Sequence, residues 1–159
     1  VGQLATKSSE GRSITENRKA RHDYHIEDTY EAGLVLTGTE VKSLRAGKAN
    51  LRDAHAEIRG GEIYMVAAHI SPYDQGNRFN HDPLRPRKLL MHRREIGRLR
   101  AQVAEKGYTL VPLRLYWHNG RAKVELALAR GKRQYDKREA MAKRDTEREM
   151  AREMRQRRE

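Results

Sequence analysis

The chain has no cysteine. That excludes a disulfide framework and every thiolate-bound metal. Among its 159 residues are one Phe, one Trp and four Pro, and aromatic residues make up only 6%. A generic single-strand binder relying on stacked rings is therefore disfavoured. No apolar run approaches the ~20 residues a spanning helix needs. Residues 1–15 hold no apolar stretch that could serve as a signal peptide. These absences point to the cytoplasm and away from membranes. No phosphate-binding glycine loop, Ser-His-Asp order or His-Glu-x-x-His run is present. No catalytic residue and no cofactor is expected.

What the chain has in excess is positive charge. It carries 34 Lys+Arg against 22 Asp+Glu, a formal net charge of +12. Such an excess attracts polyanions and speeds their capture. With membrane disfavoured, nucleic acid is the expected partner. The charged share is 35%, against about 25% in ordinary domains, so a core across the whole chain is not expected. Residues 130–159 contain no Leu, Ile, Val or Phe. They carry twelve basic and seven acidic residues, a net of +5, which leaves +7 on residues 1–129. The expected division is a disordered stretch at 1–13, a folded body at 14–129 and a charged tail at 130–159.

Periodicity and turn chemistry give the body its elements. The run Asn17-Arg18-Lys19-Ala20-Arg21 predicts a helical turn or two. Residues 24–36 predict a strand, with Tyr30, Ala32, Leu34 and Leu36 on one face. Residues 37–47 predict a short helix capped by Thr37 or Thr39 and stopped at Gly47. Gly60-Gly61 predicts a hairpin pairing Ile58 with Ile63, Ala56 with Met65, and Ala54 with Ala67. Residues 71–87 predict a long polar loop, and 92–106 a helix with Ile96, Leu99 and Val103 inward and Gly107 past its end. Asn119-Gly120 is a strong hairpin turn. It predicts Leu115 opposite Val124, Leu113 opposite Leu126, Val111 opposite Leu128 and Arg114 opposite Glu125. Pro112 cannot donate to a ladder and predicts an edge or bulge. Five or six strands with two or three short helices make a mainly β fold. A small antiparallel barrel of the oligonucleotide-binding type suits this size best.

Metal and catalytic readings of the polar residues are weak. His22 and His25 lie three apart with Glu31 beyond, which matches no ligand spacing. Alternation puts Glu27 and Glu31 on one strand face and Asp28 on the other, so no adjacent carboxylates clamp an ion. The basic clusters say more. Arg18, Lys19 and Arg21 precede the first long strand. Lys42, Arg45 and Lys48 end the short helix. Arg85, Arg87, Lys88, Arg93 and Arg94 flank the loop and the next helix. Beside the first two clusters stand Asn17, His22, Tyr24 and Asn50, which can stack on bases or bond their edges and 2′-hydroxyls. In the tail, a helix would line Arg144, Arg148, Arg152 and Arg155 along one stripe, with Asp145, Glu149 and Glu153 beside it. It has no apolar face to dock, so it is expected to be disordered when free and helical on RNA.

The sequence resembles the small protein B family, the SsrA-binding proteins, over nearly its whole length. Asn17-Arg18-Lys19-Ala20-Arg21-His22-Asp23-Tyr24 is similar to the family's opening signature. Tyr30-Glu31-Ala32-Gly33-Leu34 and the run from Gly38 to Asn50 resemble its most distinctive block. Arg87-Lys88-Leu89-Leu90 and Gly107-Tyr108-Thr109 follow in order. Gly131-Lys132-Arg133-Gln134-Tyr135-Asp136-Lys137-Arg138 resembles the tail motif. The resemblance implies an oligonucleotide-binding barrel that carries transfer-messenger RNA to stalled ribosomes, so that the nascent chain is tagged and the ribosome freed. It implies a monomer, with the RNA and the small ribosomal subunit's RNA as partners. It implies RNA-binding roles for Asn17, His22, Glu31, Leu90 and Lys123. It places Gly131, Lys132, Arg133, Tyr135, Asp136, Lys137 and Arg138 at the decoding centre. The following helix, with Arg144, Arg148 and Arg152, would lie along the message channel. Two positions depart from the family pattern: Thr39 stands where some members carry Trp, and Tyr135 where some carry His.

Overall fold

The computed structural model describes residues 12–75 and 79–158, with backbone alone for 133–139 and 158. The disorder expected for residues 1–11 lies outside the described residues. In chain order the elements are β1 (Ser13–Glu16), α1 (Arg18–Asp23), β2 (Tyr24–Leu34), α2 (Gly38–Arg45), β3 (Ala49–Asn50), β4 (His55–Arg59) and β5 (Glu62–Val66). Then come β6 (His69–Ile70), β7 (Arg87–Leu90), α3 (Arg93–Lys106), β8 (Thr109–His118), β9 (Arg121–Gly131) and α4 (Lys132–Arg158).

Six strands close into a ring in the order β8-β4-β5-β7-β2-β9, with β9 paired back to β8. Every neighbour is antiparallel. Closure removes the open edges that an antiparallel sheet otherwise exposes. β1 continues alongside β8 beyond β4, and β3 and β6 form a separate two-stranded ribbon. The inward positions are apolar: Ala32, Ile63, Met65, Leu89, Leu110, Leu115, Val124, Leu126 and Leu128. Leu44 from α2 and Ile96 and Leu99 from α3 pack against them. Each such buried side chain contributes roughly 1.5–3 kcal/mol. A second, smaller cluster sits outside the barrel, where Ala20 of α1 covers Val111, Leu113, Ala127 and Ala129.

The turns and caps follow the sequence chemistry. Thr37 caps α2 and Glu40 bonds back to the Thr37 amide, completing a capping box. Gly47 and Gly107 take left-handed backbone past the ends of α2 and α3. Asn119 and Gly120 both have positive φ, as the two-residue hairpin turn requires.

Several expectations are corrected. Ser13 is not part of a disordered stretch. It opens β1, and its strand is paired to β8 through Ser13–Tyr116, Thr15–Leu115 and Glu16–Arg114. At Gly60-Gly61 the first two pairs form, but pairing stops at His55–Val66. Ala67 turns to a φ of 58° and leaves the ladder, so Ala54 has no partner there. In the second hairpin a bulge at Leu113 makes Pro112 face Leu126 and Arg114 face Glu125. Val111 then meets Ala127 rather than Leu128. The extra residue puts Leu113 with Val111 under α1 instead of in the barrel. A further bulge at Glu27 breaks the simple alternation assumed between Glu27 and Glu31. The tail is a 27-residue helix, the form expected of it on RNA. Its described side chains from 140 to 157 are all exposed. No Gly or Pro interrupts it, and Ala, Arg, Lys, Glu and Met dominate it.

Candidate nucleic-acid interface

The first surface is built by α1. Asn17 is 3% exposed and caps the helix, its Oδ1 accepting from the Ala20 amide at 3.1 Å. Its Nδ2 donates to the Leu51 and Pro112 carbonyls, each at 3.0 Å. Both amide protons are thus committed inside the protein, so Asn17 fixes α1 between two other segments. The fixed helix forms one wall of a cavity of about 790 Å³. Lys19, His22 and Tyr24 line it together with Arg52, His55 and Lys132. Among the described residues Lys19 pairs only with exposed Asp53, at 3.9 Å. Such a contact contributes about 0–1 kcal/mol and yields readily to a phosphate. His22 Nδ1 lies 3.0 Å from Asp23 Oδ1, and that bond holds the Asp23 carboxyl below its ordinary range. Sequence reasoning brought Asn17, Lys19, His22 and Tyr24 to one site. It missed Arg52 and His55, which only the fold brings there.

The second surface is the outer face of β7, β2, β9 and β8. Glu31 and Glu125 sit directly opposite each other on β2 and β9. Two carboxylates so placed repel, and neighbouring groups offset this. Arg114 Nε donates to Glu125 Oε2 at 2.7 Å, and Arg21 reaches Glu125 Oε1 at 3.8 Å. The Tyr116 hydroxyl donates to Glu31 Oε2 at 2.5 Å, and the Arg114 guanidinium lies 4.3 Å above the Tyr116 ring. Burial, and then the Glu31 bond, push the Tyr116 phenol well above its ordinary pKa. Next along this face, Gly33 pairs with Leu90 on one side and Lys123 on the other. A Cβ at Gly33 would stand 3.3 Å from Leu90 Cβ and 3.6 Å from Lys123 Nζ. Leu90 and Lys123 therefore close over the buried Gly33, which brings an exposed leucine and an ammonium side by side. Glu31, Leu90 and Lys123, far apart in the chain, share one face. Sequence reasoning missed Tyr116 and Arg114. The hairpin register that sets Lys123 opposite Tyr116 was the available signal.

The remaining basic residues divide. Lys42, Arg45, Lys48 and Asn50 are exposed near α2. Lys42 Nζ lies 5.2 Å from the Tyr73 ring centroid, and Lys48 sits 3.7 Å from Asp74. Asn50 Oδ1 accepts from the Arg52 amide at 2.8 Å. Arg85 and Arg87, counted among the basic surface clusters, turn inward. Both contact Glu40 at 2.5 Å, and Glu40 and Arg87 are 0% exposed. Arg87 also donates to the Ala68 and Pro83 carbonyls. Burial would raise the Glu40 carboxyl, but Arg85, the Thr37 amide and Arg87 outweigh it and hold it low. This cluster fastens residues 82–87 to α2. His81 adds to the fastening, its ring meeting Thr39 Oγ1 and the Ile70 carbonyl at 2.8 Å each. Thr39, the departure from the family pattern, thus has a partner of its own.

Gly131 and Lys132 line the cavity beside α1, where β9 passes into α4. The side chains of Arg133, Tyr135, Asp136, Lys137 and Arg138 lie outside the described ones. Arg144, Arg148 and Arg152 are exposed on α4. Among the described residues no three His, Asp or Glu side chains gather where they could hold a metal ion. No described helix is long and apolar enough to cross a membrane.

Comparison with known proteins adds the family. The model of the family described as "SmpB protein" matches residues 14–156. The SsrA-binding protein of Symbiobacterium thermophilum is 63% identical over 96% of this chain and 97% of its own. That of Geobacillus thermodenitrificans is 60% identical over 93% of this chain and 96% of its own. A chain of a solved structure described as "tmRNA-SmpB: a journey to the center of the bacterial ribosome" is 55% identical, with a TM-score of 0.63. That match covers 74% of this chain and 83% of the other. A family match across the barrel and most of the tail, with relatives this close over nearly their whole length, leaves one conclusion: the chain belongs to the SmpB family.

Proposed function

We propose that this chain binds the transfer-RNA-like domain of transfer-messenger RNA, the SsrA RNA, and delivers it to stalled ribosomes in the cytoplasm. It acts by carriage and positioning, not by catalysis, and needs no cofactor. The observation that carries the reading is the gathering of Glu31, Leu90 and Lys123 on one outer face of the barrel, beside Tyr116 and Arg114. Lys123 suits a phosphate and Leu90 a base or ribose face. Glu31 suits the N–H or O–H donors that a phosphate lacks. The cavity beside α1 extends this surface with further positive charge from Lys19 and Lys132, and with the His22 ring. Lys42, Arg45, Lys48 and Asn50 would add peripheral contacts.

The division of labour follows the fold. Residues 14–129 form the body that holds the transfer-messenger RNA. The tail, residues 130–159, enters the decoding centre with Gly131, Lys132, Arg133, Tyr135, Asp136, Lys137 and Arg138. Arg144, Arg148 and Arg152 then face ribosomal RNA along the message channel. A flat ring at Tyr135 suits stacking on a base. The test is a chain ending at Gly131. It retains affinity for the isolated RNA domain and fails to support peptide tagging on stalled ribosomes. A truncated chain that tags normally would refute the two-part mechanism.

A further inference from the structure

Glu31 is an unexpected residue on a surface meant for RNA. A carboxylate repels phosphate, so its value lies in accepting hydrogen bonds from base edges or 2′-hydroxyls. That value depends on orientation, and an exposed glutamate facing Glu125 across the strand pair is free to swing away. The Tyr116 hydroxyl prevents this by donating to Oε2 at 2.5 Å. Oε1 has no partner among the described residues. Tyr116 itself is 7% exposed, lies opposite Lys123 in the β8–β9 ladder, and is covered by Arg114 at 4.3 Å. Arg114 is anchored on Glu125, which Arg21 of α1 also reaches. The contacts thus run without a break from α1, through Glu125 and Arg114, to the Glu31 carboxylate.

We infer that Tyr116 is a positioning residue for RNA recognition: it holds the Glu31 carboxylate so that Oε1 accepts from the N–H edge of an unpaired base seated on the outer face beside Leu90 and Lys123. The inference rests on the proposed RNA-binding role and adds to it the residue that makes Glu31 selective. Lys123 supplies attraction that any RNA receives. The Tyr116–Glu31 pair supplies discrimination, because only a nucleotide with a donor in reach satisfies the held oxygen. Gly33 matters because its missing side chain lets Leu90 and Lys123 close over the strand and stand side by side next to Glu31.

The experiment uses the full chain and the transfer-RNA-like RNA domain, with an unrelated folded RNA as control. Tyr116→Phe removes the hydroxyl and keeps the ring under Arg114. Affinity for the cognate domain falls about tenfold, as for losing a hydrogen bond to a charged group. Affinity for the control RNA and the dependence on salt stay as in the parent. In a Glu31→Ala background, which is itself weakened, Tyr116→Phe causes no further loss, because the residue it positions is gone. Cognate binding unchanged in Tyr116→Phe, or an undiminished loss in the Glu31→Ala background, would overturn the positioning role. Glu31→Ala binding like the parent would instead overturn the RNA face itself, and the inference with it.

Discussion

The buried cluster around Glu40 sets the most demanding test of the fold. Glu40→Gln keeps the side-chain shape but removes the charge that meets Arg85 and Arg87. Glu40 and Arg87 have no exposed side-chain surface, so water cannot replace the lost partner. Removing one partner of a buried pair costs about 3–5 kcal/mol. The Gln oxygen can still accept one bond, which argues for the lower end, about 3 kcal/mol. A domain of this kind has a total stability of about 5–15 kcal/mol, so the loss is large. At about 4 °C per kcal/mol it lowers the thermal midpoint by roughly 12 °C. Urea denaturation and thermal circular dichroism, with and without the substitution, measure both quantities. The pH dependence adds a sign. The Glu40 carboxyl is held below its ordinary value of 4.5, so its stabilisation is complete above that value and is lost as pH falls through the folded-state pKa. The gap between parent and Glu40→Gln therefore narrows in acid. A loss under about 1 kcal/mol at neutral pH, or a gap unchanged down to about pH 2, would refute the reasoning. Joint replacement Glu40→Leu with Arg87→Met should cost less than the two single changes added together, because neither member of the fully buried pair is left facing the site without the other, while the part-exposed Arg85 turns to water.

Asn17→Ala leaves two carbonyls and an amide without their partner and should cost about 2–4 kcal/mol in urea denaturation; a loss under about 0.5 kcal/mol would mean α1 is held by other means. Lys123→Ala should weaken RNA binding and reduce the slope of log affinity against log salt by about one, read by fluorescence anisotropy across a salt series. The Tyr116 phenol should ionise above the other tyrosines in an absorbance titration. Stability should fall as pH rises past about 10, where the unfolded chain begins to release that proton and the folded chain still holds it. Truncation after Gly131 should remove the signal of a long helix while leaving the barrel's thermal midpoint within about 2 °C, since the described tail side chains beyond residue 139 touch no core.

Features set by one or two neighbouring residues were legible in the sequence. The Thr37–Glu40 box, the Gly47 and Gly107 stops and the Asn119-Gly120 turn all depend on local backbone chemistry. So did the pairing of Arg114 with Glu125, because the turn fixes the register close to it. The register failed beyond Leu113, where one extra residue shifts every later pair. Pro112, which cannot donate to a ladder, signalled a bulge there, but not that Leu113 would turn outward to pack with Ala20 of α1, a contact no local pattern encodes. The candidate site divides in the same way. Positive charge identified Lys19 as a surface group, while Lys123 came from the family resemblance alone. Charge misled at Arg85 and Arg87, because Glu40, some 45 residues earlier in the chain, draws both inward. Asn17, chosen for contact with RNA, has its amide occupied in fastening a helix. The partnership of Glu31 with Tyr116 joins residues 85 positions apart and becomes visible only once β2, β9 and β8 lie side by side.

The passage from β9 to α4 has a mechanical consequence. The chain goes from strand to helix with no connecting loop, and Gly131 is still paired to Tyr24 when the helix begins at Lys132. Twenty-seven helical residues form a rod of about 40 Å. A tilt of only about 10° at the junction would swing its far end by about 7 Å, more than a helical turn. The barrel therefore acts as a gun mount, and the ladder pair at Tyr24–Gly131 sets the aim. Since Tyr24 and Gly131 also line the cavity beside α1, whatever fills that cavity presses on the bearing of the rod.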